Sequence, residues 1–267
     1  MSAIPWTPST RYILGMRVDA TSYQDATTRI CSWAQAGESR YVCVAAVNNV
    51  IESHDHADFR QHMNGADLVT PDGMPLVWGL RLLGIGIASR VYGPHLTGVL
   101  CGRAVEEGIP VGFYGGTPDV LDALIAKLVR RYPGLVVAYR YSPPFRAPSP
   151  AEEEATREDI ERSGARIVFV GLGTPKQERW MARHRGRVPA VMIGVGAAFD
   201  FLADTKRQAP SWIQRIGMEW LFRLLHEPRR LWRRYLLGNP RFVVLFAAQL
   251  ARHGRATTGA APGSARA

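Results

Sequence analysis

The chain has 267 residues, 46% of them hydrophobic and 21% charged, a balance that excludes disorder, collagen and coiled coil as descriptions of the whole. Its 33 Lys and Arg against 23 Asp and Glu leave a net charge of +10, and the excess lies entirely at one end. Residues 1–204 carry 21 basic and 21 acidic side chains, whereas 205–267 carry Lys206 and eleven arginines against only Glu219 and Glu227. A neutral body with a cationic tail calls for an anionic partner at that tail.

The alternation of short apolar runs with helical patterns begins weakly. Residues 11–18 read as a strand and a helix starts near Ser22. Strands are then expected at 41–47, 109–114, 135–141, 166–171 and 190–195, several of them apolar almost throughout, as parallel strands covered on both faces are. Helices are expected at 76–83, 95–107, 118–131 and 151–163. Thr117 before Pro118 and Ser149 before Pro150 are N-cap signals, and Glu152 to Glu154 complement the dipole of the helix they open. This pattern predicts an α/β fold, a Rossmann-like and mostly parallel sheet flanked by helices. After residue 205 the pattern is helical only: one helix over 211–227, a basic amphipathic segment over 229–237 and a last helix opened by Pro240. The expected organisation is a catalytic domain over 1–204, a helical appendage over 205–252 and a disordered tail over 253–267, whose Gly, Ala, Ser, Thr and Arg supply no core.

Cys31, Cys43 and Cys101 lie far apart with no CxxC spacing, so neither a disulfide framework nor a cysteine-held zinc is expected and a reducing cytoplasm fits best. The opening MSAIPWTPSTRYILG lacks the pattern of a signal peptide, and no run reaches the ~20 apolar residues that cross a bilayer.

Ligands of α/β folds bind at the carboxyl ends of parallel strands. Three loops stand there. Gly115-Gly116-Thr117 joins a strand to a helix N-terminus, where backbone N–H groups can approach a phosphate; a plain capped turn would use the same residues. Gly171-Leu172-Gly173-Thr174-Pro175-Lys176-Gln177-Glu178 has GxG without the third glycine of a dinucleotide fingerprint, and places Lys176 where only a bound anion makes a cation favourable. Thr70-Pro71-Asp72-Gly73 puts a carboxylate in a strand-to-helix loop, where it is either a turn residue or a general base. Asn48 and Asn49 close the 41–47 strand as ligands or as caps. His54-Asp55-His56 has no third metal ligand nearby and reads as a solvated helix end, and no serine stands in a GxSxG setting.

Together, ADLVTPDGMPLVW (66–78), RVYG (90–93), FYGGTP (113–118), VFVGLGTPKQERW (168–180), IGVGAAFDF (193–201) and APSWIQRIGMEWLFRLLHEPRRLWRRY (209–235) resemble the WecG/TagA/CpsF glycosyltransferases, glycosyltransferase family 26. The resemblance covers most of 41–246, in the family's order. It implies inverting transfer of a sugar from a UDP-sugar, often UDP-N-acetylmannosamine, to an undecaprenyl-diphosphate-linked acceptor at the inner face of the plasma membrane, for cell-surface polysaccharide. It implies no metal and no cofactor besides the donor. Asp72 takes the place of the proposed catalytic aspartate and Gln177 that of a glutamine contacting sugar or nucleotide. Asn48, Gly115, Gly116, Thr117, Gly173, Lys176 and Glu178 complete the expected substrate-binding set. Arg223, Arg230 and Arg233 correspond best to arginines that hold the acceptor's diphosphate. With Arg229, Arg234 and Trp232 they form the expected acceptor and membrane surface, because arginine donates in pairs to phosphate oxygens and tryptophan sits at the headgroup level.

The sequence departs from the family in two places. The family's asparagine at the end of the early strand falls, ungapped, on Ala46, with Asn48 two residues later, and Asp204 replaces a glycine common in relatives. UDP-glucose or UDP-glucuronic acid for exopolysaccharide remains an alternative donor, and a nucleic-acid-binding module is the rival from another class, with Trp232 and Tyr235 to stack bases. The expected partners are donor, lipid-linked acceptor and anionic membrane surface, not nucleic acid. A homo-oligomer is compatible with the sequence.

Overall fold

The computed structural model describes residues 9–258, with side chains to 252. Six parallel strands form the central sheet in the order β4-β3-β8-β7-β5-β6: β3 (Arg40–Ala45), β4 (Leu68–Pro71), β5 (Val111–Gly115), β6 (Val137–Tyr141), β7 (Ile167–Gly171) and β8 (Val191–Gly194). Side chains alternate across a strand, so Tyr41, Cys43 and Ala45 enter one apolar core and Val42 and Val44 the other. The first core lies under α2 (Val47–Asp55), α3 (Ala57–Asn64), α4 (Met74–Leu82), α7 (Pro150–Ser163) and α8 (Lys176–His184). The second lies under α1 (Tyr23–Gln35), α5 (Gly93–Glu107), α6 (Pro118–Arg131) and α9 (Ala198–Leu202). The expected α/β sheet is present, and the expected caps Thr117 and Ser149 each accept a backbone N–H from the first turn of their helices, as Ser22 does at the start of α1.

The opening differs from the single expected strand. Leu14 and Gly15 adopt positive φ and fold it into an antiparallel hairpin, β1 (Thr10–Ile13) and β2 (Met16–Asp19). Asp19 is fully buried and fastens the hairpin, accepting from Thr10 Oγ1 (2.7 Å), Arg17 Nε (2.9 Å) and the backbone N–H of Val69 in β4 (2.8 Å).

The expected helix over 211–227 is broken. Gly217 adopts φ +75°, and a Cβ there would meet the Trp78 ring at 2.7 Å. The segment therefore divides into α10 (Ser211–Arg215) and α11 (Glu219–His226). Next come α12 (Pro228–Trp232), a π-helical turn (Arg233–Leu237) and α13 (Gly238–Thr258). A small apolar cluster of Trp220, Leu224, Leu231 and Tyr235 holds the middle of this appendage together. Helix α13 returns to the body: Phe242 and Phe246 enter the first core, and Gln249 bonds Leu14 N and Tyr12 O of the hairpin. Burying two Phe side chains contributes about 3–6 kcal/mol, so apolar contact rather than charge seats this helix. Its backbone is helical through Thr258, beyond the boundary at 252; the remainder of the expected disordered tail lies outside the described residues. Among the described residues no helix is long and apolar enough to cross a membrane.

The ends of β5 and β7 approach so closely that neither tolerates a side chain. A Cβ on Gly115 (φ +124°) would lie 2.6 Å from the Gly171 carbonyl carbon and oxygen, and one on Gly171 2.6 Å from the Phe199 ring. Gly115→Ala is expected to cost about 2–4 kcal/mol from overpacking and a disfavoured backbone. Thermal unfolding should show this as a fall of about 4–16 °C in Tm, and a fall below 2 °C would mean that the two loops can part.

Candidate active site

At the carboxyl ends of β3, β4, β5, β7 and β8 lies a cleft of about 760 Å³, whose far wall is the appendage. A second lobe of about 100 Å³ opens between α2 and the appendage. Asp72, Glu219, Arg223 and Arg234 line both.

Asp72 directly follows β4, and its backbone N–H donates to Ala45 O at 2.8 Å, continuing the strand pairing for one residue. That aims its carboxylate into the cleft, where the side chain keeps about 24% exposure. Arg90 faces it. Its Nε donates to the Asp72 carbonyl oxygen, Nη2 to Asp72 Oδ1 (3.2 Å) and to Glu219 Oε2 (2.6 Å), and Nη1 to Gln214 Oε1 (3.3 Å). The guanidinium also lies over the Tyr92 ring at 4.3 Å. Burial pushes the Asp72 carboxyl up to about 6; the Glu219 charge adds to the rise, and Arg90 and Arg223 oppose it. An acid with that balance is ionised at neutral pH yet basic enough to accept a proton.

Asn48 lines the smaller lobe, whereas Asn49 is buried and structural. Its Nδ2 donates to Thr174 Oγ1 (3.2 Å) and Glu178 Oε1 (3.0 Å), and its Oδ1 accepts from Ala46 N (3.1 Å). Gln177 reaches the cleft floor, but its amide is engaged within the protein. Oε1 accepts the N–H groups of Gly173 (3.2 Å) and Gly196 (3.0 Å), and Nε2 donates to Glu178 Oε1 (3.0 Å). Gln177 thus fixes the loops that follow β7 and β8. Glu178 is buried behind it and does not line the cleft, because adjacent helical residues point about 100° apart. The expected substrate contact at Glu178 becomes a support of Gln177, and burial pushes its carboxyl upward. Gly116, Thr117, Gly173 and Lys176 do line the wide cleft, with Lys176 exposed at the start of α8. Gly115 stands behind them as the close-packed residue of the turn. Ser142 Oγ donates to Gly116 O at 2.6 Å and draws the loop after β6 over the same end.

The structure divides the expected basic surface. Arg223 and Arg234 turn inward, over the Phe201 ring (5.3 Å) and the Tyr235 ring (5.6 Å), and each has a buried Nε without a hydrogen-bond partner among the described residues. Arg230 borders the wide cleft but is paired with Glu227 at 2.6 Å. Arg233 belongs instead to a groove of about 310 Å³ on the far side of α2, beside Trp232 (5.2 Å). Arg229 is exposed and lines none of these cavities. The split follows from helical phase: Arg230 and Arg234 lie four residues apart on the cleft side, and Arg229 and Arg233 on the next face.

Sequence reasoning missed Arg90, Gln214 and Glu219. A signal for the last existed: Glu219 and Glu227 are the only acids among twelve cations, and both are ion-paired in the structure. His54-Asp55-His56 holds no metal cluster, and among the described residues no three His, Cys, Asp or Glu side chains converge; Asp55 instead pairs with Arg241 of α13.

Comparison with known proteins covers most of the chain. A relative from Bacillus spizizenii, named N-acetylglucosaminyldiphosphoundecaprenol N-acetyl-beta-D-mannosaminyltransferase, is 32% identical over 193 residues, which is 72% of each chain. The model of the Glycosyl transferase WecG/TagA/CpsF family matches residues 11–256, hairpin, cleft and appendage alike. The chain therefore belongs to the WecG/TagA/CpsF family of glycosyltransferases.

Proposed function

We propose that this glycosyltransferase moves a hexose, N-acetylmannosamine first among the candidates, from its UDP-sugar to an undecaprenyl-diphosphate-linked acceptor with inversion. The observation that carries the reading is the place of the Asp72 carboxylate, at a strand end between a glycine-lined cleft and inward-facing arginines, where burial raises its pKa. The name of the Bacillus relative supports the sugar and the lipid. In this reading Asp72 takes the proton of the acceptor hydroxyl as that oxygen bonds to the anomeric carbon, and the bond to UDP breaks on the opposite face. The leaving diphosphate lies against the close-approaching Gly116 and Gly173 turns, and Lys176 supplies the cation that meets its charge. Arg223 and Arg234, with unpaired buried N–H groups, suit the acceptor's diphosphate better than Arg230 or Arg233.

The membrane role narrows accordingly. Of the four clustered arginines, Arg229 and Arg233 alone face outward without an acid among the described residues, so they supply about 2 kcal/mol of attraction to an anionic leaflet at ~1 kcal/mol each. Exposed Trp212, Ile216, Leu225, Trp232 and Leu236 add the apolar part. Together they favour peripheral attachment at the cytoplasmic face.

A panel of UDP-sugars against a lipid-diphosphate acceptor, read by UDP release and product mass, tests the assignment; release with none of them would reject it. Asp72→Asn keeps the shape and removes the proton acceptor, so turnover is expected to fall ~100- to 10,000-fold with donor binding retained. Retention of more than a tenth of the activity would remove Asp72 as the base. Transfer should persist in EDTA, since the chain has no Asp-x-Asp pair; loss in EDTA and recovery with magnesium or manganese would contradict this. The arginines should separate. Arg223→Ala with Arg234→Ala is expected to lower transfer at least tenfold while liposome sedimentation persists, and Arg229→Ala with Arg233→Ala to weaken sedimentation first. Equal behaviour of the two pairs would reject the division.

A further inference from the structure

Arg90 joins elements that are distant in the chain. It stands just before α5, yet one guanidinium contacts the Asp72 loop, Gln214 of α10 and Glu219 of α11. The same nitrogen, Nη2, serves both carboxylates, and it is closer to Glu219 (2.6 Å) than to Asp72 (3.2 Å). Arg90 and Glu219 keep only 16% and 15% side-chain exposure, so water screens little of this exchange. Among the described residues, the other charged and titratable groups around Asp72 are Arg223 of α11, Arg234 of the π-helical turn, Tyr23 of α1 and Tyr92. None of these is an acid that could replace Glu219 as the rival for Arg90. A carboxylate facing an undivided guanidinium is a poor base, because the cation stabilises its ionised form.

We propose that Glu219 is a positioning residue that holds the Arg90 guanidinium away from full pairing with Asp72, so that docking of the appendage sets the strength of the base. This rests on Asp72 being the base of the transfer. Seating α11 brings Glu219 to Arg90 and divides that cation between two acids. With α11 displaced, Arg90 closes on Asp72 and the carboxylate is quenched. The appendage then does more than deliver arginines: its single acid at the cleft makes the body's aspartate reactive. The raised pKa of Asp72, to which the Glu219 charge contributes, is in keeping with this.

The test reads Asp72 directly, without substrate. Protein labelled with carbon-13 at the aspartate carboxyl is titrated by NMR, and the Asp72 signal is identified by its loss in Asp72→Asn. The midpoint is expected near 6 in the unaltered protein, lower by about one unit or more in Glu219→Gln, and between the two in Glu219→Asp. With any donor and acceptor that react, the acid limb of kcat/KM is expected to move to lower pH by the same amount. The sign is fixed by the chemistry: the base works only above its own pKa, so a lower pKa extends activity to lower pH while weakening the base. A midpoint unchanged in both variants overturns the proposal, as does lost activity with an unmoved limb. If Glu219→Gln does not fold, as judged by spectral dispersion, Glu219→Asp decides alone: a lowered midpoint supports the proposal and an unchanged one overturns it. If no sugar donor reacts, the titration still decides the role of Glu219 while the substrate assignment falls separately.

Discussion

Covering a parallel sheet on both faces leaves its polar chemistry nowhere to stand but the rim. Strands β3, β4, β5, β7 and β8 are buried on both sides, and helices close over each core. Side chains that must meet water, phosphate or a sugar hydroxyl are therefore confined to the loops at the carboxyl ends of the strands. Asp72 after β4, the glycine turn after β5 and the Gly173–Lys176 loop after β7 all sit on that rim. The appendage adds the side of the cleft that the sheet cannot supply.

A rim made of loops needs stiffening, and the polar cluster beneath it does this. Asn49, Thr174, Gln177 and Glu178 bond one another and the backbone N–H groups of Gly173 and Gly196. Buried polar groups are costly unless bonded, so each of these side chains holds the others to one arrangement. The close approach of Gly115 to Gly171 does the same for the β5 end through exclusion of volume. The loops that would grip a diphosphate are thus shaped before it arrives, which lowers the ordering cost of binding.

The legible parts of the sequence were those governed by local periodicity. Strands at 41–47, 166–171 and 190–195 and the helix at 118–131 stand within two residues of expectation, because apolar runs and Thr–Pro caps are local signals. Asp72 reached its place in the cleft for the same reason: a turn after an apolar run at the head of a helix. What sequence could not supply is pairing at a distance. Nothing near Arg90 announces that it will meet Gln214 and Glu219, more than 120 residues later. The Gly217 break was open to a stricter reading, since glycine inside a helical stripe is a weak point. The two arginine faces were hidden because charge density along a chain carries no information about helical phase.

The grip of α13 on the amino-terminal hairpin bears on how the protein is made. Gln249 bonds Tyr12 and Leu14 across 237 and 235 residues of chain, and Phe246 packs with the hairpin's Ile13 around Gly79. A ribosome delivers residues in order, and domains tend to fold as their segments emerge. Here the hairpin strands emerge about 235 residues ahead of the helix residue that binds them. The hairpin's apolar edge must wait uncovered through translation, and the arginine-bearing appendage is seated in the same late step as the hairpin is closed. The cationic surface and the closed core are consequently products of one late closure, and a chain cut before α13 would leave the hairpin's Ile13 without Phe246 against it.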